Sequence, residues 1–82
     1  MLISKKLIGK TIVSKTGKTI GKVSDIVFET RTGELVYILL GEPTSFAASF
    51  ELEKDKEGVY QIPFSAVIAI GDFVVVSEED LS

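Results

Sequence analysis

The 82-residue sequence contains no cysteine, no histidine and no asparagine. Without cysteine there is no disulfide framework, no thiolate nucleophile and no thiolate zinc site. Without histidine the usual neutral-pH base and the commonest metal ligand are missing. Together these absences exclude most enzyme mechanisms, and an enzyme built on this chain would have to work with carboxylates and lysines alone. Without asparagine there is no N-glycosylation acceptor. Basic residues are few, with 9 Lys and Arg against 12 Asp and Glu for a net charge of −3. That balance argues against direct nucleic-acid binding through broad phosphate neutralisation. Long apolar runs are absent as well. The longest, Leu35 to Leu40, falls far short of the ~20 residues that cross a bilayer. The opening Met1 to Ile8 carries no long apolar stretch after Lys5-Lys6, so it does not read as a signal peptide. The expectation is a cytoplasmic protein with no membrane insertion.

What the chain does have is β-forming residues. Val 9, Ile 9, Thr 6, Phe 5 and Tyr 2 make up 31 of 82 residues, the types that suit a pleated, half-buried surface. Short apolar bursts end at Gly or charged clusters about every 8 to 12 residues, the spacing of a small sandwich or barrel. A first strand at Thr11-Ile12-Val13 runs into a turn at Gly17. The second, Ile20 to Thr30, loses its alternation at Ser24-Asp25, and a phase change inside a strand predicts a bulge or bend. Thr30 to Gly33 reads as the next turn. The third strand, Glu34 to Gly41, is apolar on both faces, Leu35, Tyr37 and Leu39 on one and Val36, Ile38 and Leu40 on the other. One small sheet buries one face in its own core, so this strand is either central in a closed barrel, or its second face meets a small helix or another subunit.

After a loop at Glu42 to Ser45 come the small-plus-aromatic segment Phe46 to Phe50, a charged turn at Lys54 to Gly58, and a short strand Val59 to Ile62 stopped by Pro63. Pro63 to Ala66 is expected to make one helical turn with Pro in its favoured first position. Val67 to Ile70 and Phe73 to Val76 are strands joined at Gly71-Asp72. The domain is expected over residues 1–77, followed by an acidic tail at 78–82 that reads as a frayed end in preference to a single helical turn capped by Ser77 with Asp80. The predicted core is Ile12, Val23, Ile26, Phe28, Leu35, Tyr37, Leu39, Ile62, Phe64, Val67, Ile70, Val74 and Val76.

The motifs that resemble chemistry are weak. Gly9-Lys10-Thr11 and Gly17-Lys18-Thr19 look like the ends of phosphate-binding loops, but the earlier glycine is missing and strands rather than helices follow. Glu51 and Glu53 have a separation open to a carboxylate pair, yet a charged hairpin follows at once and nothing would split their pKa values. Asp25, set between Val23 and Val27, reads either as an acid in a groove or as a carboxylate bonding the backbone at the bend. Asp55 and the tail acids lack a calcium-loop pattern. No catalytic, metal or cofactor site is expected.

Two ordered stretches carry a resemblance. Gly17-Lys18-Thr19-Ile20-Gly21-Lys22-Val23-Ser24-Asp25-Ile26-Val27-Phe28 is followed by Ile62-Pro63-Phe64-Ser65-Ala66-Val67-Ile68-Ala69-Ile70-Gly71-Asp72. With Ile8 to Val13 and Thr32 to Leu35 they resemble the PRC-barrel domain, found in the H subunit of photosynthetic reaction centres and in the C-terminal half of the ribosome maturation factor RimM. A free-standing copy is similar to the stand-alone archaeal members. The resemblance implies an all-β fold, a small strongly bent barrel of about six strands with one short helical turn. It brings no catalytic residues. It assigns Gly17, Gly21, Gly33, Gly71 and Asp72 to turns and bends. It also implies an adaptor for other proteins, with a cell-division role bridging to SepF-like proteins or, alternatively, a ribosome-assembly role of RimM type through a ribosomal protein. The two-faced apolar strand Leu35 to Leu40 and the segment Phe46 to Phe50 suggest a homodimer whose candidate interface is Val36, Ile38, Leu40, Phe46 and Phe50. Between Gly41 and Gly58 the sequence departs from the family pattern.

Overall fold

A computed structural model of the chain describes residues 6–50 and 52–81. Among these residues seven strands form one sheet: β1 (Thr11–Ser14), β2 (Thr19–Phe28), β3 (Leu35–Gly41), β4 (Glu53–Lys54), β5 (Tyr60–Pro63), β6 (Val67–Ile70) and β7 (Phe73–Val76). The short helix α1 (Ser45–Ala48) follows β3, and single 3-10 turns, η1 (Phe64–Ala66) and η2 (Glu78–Asp80), precede β6 and follow β7. The sheet order is β4-β5-β3-β2-β1-β7-β6. All ladders are antiparallel except that between β1 and β7, which is parallel and joins the two ends of the fold.

Bulges curl this sheet strongly. Val23 pairs with Leu40 and Asp25 with Leu39, so Ser24 is the extra residue on β2. Its hydroxyl donates to the Leu39 carbonyl at 3.1 Å. This is the phase change read from the sequence, and it lets Val23 and Ile26 lie on the same side of the sheet although they differ in parity. Three further slips leave Ile20 extra on β2, Val36 on β3 and Ile68 on β6. Each bulge adds local twist and bends the sheet. The result is an open barrel around one core.

That core contains Leu7, Ile12, Ile20, Val23, Ile38, Leu40, Ala47, Leu52, Ile62, Ala66, Val74, Val76 and Leu81. Ile38 faces Ile26 on one neighbour and Ile62 on the other, so the middle of β3 lies at the centre. Leu35 packs against the core as expected, but beyond the bulge at Val36 the inward face of β3 is the opposite of the one expected. Leu35, Tyr37 and Leu39 are half-buried, and Ile38 and Leu40 are inside. Both faces are apolar, so periodicity had no polar residue with which to choose. Two other expected core members lie at the surface. Phe28 is 36% exposed at the end of β2, and Ile70 is 44% exposed on the outermost strand.

Residues 78–80 also differ from the frayed end expected of them. They form η2, and the next residue, Leu81, is buried in the core. The turn is tied down from two sides. Ser77 N–H donates to the Ala66 carbonyl at 2.8 Å, and Thr16 Oγ1 donates to Glu78 Oε2 at 2.9 Å. Burial of one leucine is enough to hold a short acidic segment in place.

A candidate protein-binding edge

The interface expected from the sequence is largely taken into the molecule. Ile38 and Leu40 are core residues. Phe46 and Phe50 are half-buried against that core and against each other, edge to face, with ring centroids 5.0 Å apart. Lys18 Nζ sits 5.0 Å above the Phe46 ring and covers its outer face. The turn Gly41 to Thr44 explains this. Thr44 caps α1 by accepting from Ala47 N–H at 3.3 Å, and it donates to the Thr19 carbonyl at 2.7 Å. Those bonds hold the helix on β2, bury Ala47, and lay Phe46 and Phe50 along the barrel wall. Of the five expected residues only Val36 is exposed, because it is the extra residue of its bulge.

Gly17 and Gly33 have φ of 89° and 73°, the left-handed region that favours glycine. Gly71 and Asp72 join β6 to β7, with Gly71 N–H donating to the Phe73 carbonyl at 3.0 Å. Gly21 is different. It lies inside β2, buried, where a Cβ would stand 2.5 Å from Leu40 Cδ1 and 2.7 Å from the Gly41 carbonyl oxygen. It is required by close approach of two strands rather than by a turn.

The acids singled out from the sequence do not converge. Asp25 is exposed and bonds locally, accepting from Ile26 N–H at 2.8 Å. Asp55 closes the β4–β5 hairpin by accepting from the N–H groups of Glu57 and Val59, both at 2.9 Å. Glu53 is exposed, with the Tyr37 hydroxyl 3.4 Å away, and Glu51 lies outside the described residues. Lys15, Thr16, Ser77, Glu78 and Glu79 line a shallow cleft of about 140 Å³. Pockets that enclose a drug-sized ligand run to about 300–1,000 Å³.

Among the described residues, three of the six exposed large apolar side chains, Ile68, Ile70 and Phe73, lie at one end of the sheet, and the other three, Ile8, Phe28 and Val36, lie elsewhere. β6 is its last strand, hydrogen-bonded through β7 on one side, and among the described residues no strand covers its other side. Its sequence, Val67-Ile68-Ala69-Ile70, carries no charge. Ile68 is 53% exposed, and Phe73 on the neighbouring strand is 52% exposed. Ala69 lies opposite Val75, which lies opposite Val13, so an apolar row runs from the edge across the outer face. The opposite edge of the sheet is β4, two residues long and fully charged. Short, charged edges are how natural sheets resist pairing with other chains, and a bare apolar edge invites it. From the sequence, Val67 and Ile70 of this strand are expected in the core. Only the sheet order reveals it as an edge.

Comparison with known proteins agrees with this architecture. The sequence pattern of the PRC-barrel domain matches residues 2–81. The chain belongs to the PRC-barrel family. An uncharacterized protein of Methanocaldococcus jannaschii is 34% identical over 79 residues, which are 96% of this chain and 84% of that protein. This PRC-barrel is a small curled β-domain with the character of a binding module. Among its described residues no helix is long and apolar enough to cross a membrane.

Proposed function

We propose that this PRC-barrel is a non-catalytic protein-interaction adaptor that works in the cytoplasm as a homodimer. The observation that supports the reading best is the uncharged outer edge of β6 with Ile68, Ile70 and Phe73 exposed around it. Exposed apolar residues grouped at an unpaired edge are what a docking surface requires. The net charge of −3 favours a protein partner over a phosphate backbone. By its resemblance to stand-alone archaeal relatives, the partner we propose is a SepF-like division protein.

The test is retention of host proteins by a tagged copy of the whole chain from nuclease-treated lysate. Division-ring or membrane-scaffold proteins in the eluate are the expected result. Ribosomal proteins would replace this reading with a ribosome-assembly role of RimM type. An eluate holding neither would overturn the adaptor reading.

A further inference from the structure

We propose that the outer edge of β6 is the seam of a closed two-fold dimer, in which Val67 to Ile70 of one copy pairs antiparallel with the same segment of a second copy. The inference rests on the adaptor reading above and names the surface that self-association would use.

The two edges of the sheet are chemically unlike, and that difference selects the occupant. β4 offers only Glu53 and Lys54, both exposed, while β6 offers four uncharged residues. Pairing β6 with β4 of another copy would set an apolar strand against a charged one and would propagate without limit. Pairing β6 with β6 matches like with like. It also stops there, because each copy then presents only its charged β4 outward. The bulge at Ile68 shortens the regular part of the edge, which limits the seam to a few residues.

Charge at the two ends of β6 fits an antiparallel arrangement. Beyond Ile70 the Lys10 ammonium donates to the Gly71 carbonyl and offsets the carboxylate of the next residue, Asp72, so that end carries no net acidic charge. Beside Val67, the Ala66 carbonyl accepts from Ser77 N–H, which brings Glu78, Glu79 and Asp80 to the other end. A two-fold axis through Ala69 sets the Lys10 end of each copy against the acidic end of its partner. A parallel arrangement would set the acids against each other, and like charges across a seam disfavour it.

Sedimentation equilibrium of the whole chain over a wide concentration range tests this. The expected result is a monomer–dimer equilibrium with no larger species, weakened about tenfold or more by Ile70→Lys, since pairing would then desolvate an ammonium. Ile68→Lys is the second variant, and far-UV circular dichroism with a urea melt checks that each stays folded. As an independent measurement, a mixture of isotope-labelled and unlabelled chain should give cross-copy NOEs within residues 67–71. A strict monomer at millimolar concentration would overturn the proposal. So would a dimer unaffected by either folded variant, an open-ended polymer, or cross-copy NOEs located elsewhere. A monomer that still retains division proteins from lysate would leave the adaptor role standing, with its homodimer and this seam both refuted. Chemical-shift changes at residues 67–71 caused only by such a partner would assign the edge to that partner instead of to a second copy.

Discussion

Gly21 and Gly71 both follow an isoleucine in the sequence, and their surroundings differ completely. At Gly21 a methyl group would press on Leu40 Cδ1 and on the Gly41 carbonyl, and the carbonyl belongs to a hydrogen-bonded strand that cannot move alone. At Gly71 nothing lies within 4 Å of the same methyl, and the backbone is not left-handed there. Gly21→Ala should therefore cost about 2 kcal/mol or more through overpacking, whereas Gly71→Ala should change stability by less than about 0.5 kcal/mol. Urea melts of the two variants measured side by side check the contrast. A residue's identity gives no sign of how near the neighbouring strand comes, so both positions read as turn glycines until the β2–β3 pairing is known.

At the scale of the element, strands could be located in the sequence more securely than they could be oriented. β1, β2, β3, β6 and β7 stand within a residue or two of their expected positions, and the bulge in β2 was legible because Lys22, Ser24 and Asp25 interrupt an apolar alternation. β3 offered no such interruption. Tyr37, whose hydroxyl needs a polar neighbour, was the one residue hinting that the odd face points outward. The length of the Phe46 segment was legible, but its helical form was not, because the capping role of Thr44 depends on where the Thr19 carbonyl lies. The assignment of faces can be tested directly. Ile38→Ala should cost about 2–5 kcal/mol as a truncation in a filled core. Phe28→Ala should cost only about 1–2 kcal/mol, because its ring keeps a third of its surface in water. Equal losses in denaturant melts would reverse this account of β2 and β3.

For the molecule as a whole, stability rests on a few large side chains drawn from both ends of the chain, since Leu7 and Leu81 share the core with Ile38 and Ile62. A domain of this size has about 5–10 kcal/mol to lose, so the far end of the chain matters. Removing residues 78–82 should lower stability by about 2–3 kcal/mol, mostly through the loss of Leu81. A thermal melt unchanged by the truncation would mean that η2 only rests on the barrel. The parallel pairing of β1 with β7 carries this dependence into biosynthesis. β1 is among the first parts of the sheet to leave the ribosome, and its parallel partner is still inside the exit tunnel when β5 emerges. Until β7 appears, one side of β1 has no strand beside it, and Ile12 lacks the valines that cover it in the finished barrel. The nascent chain stays open on that side, and the fold closes only once β7 has emerged.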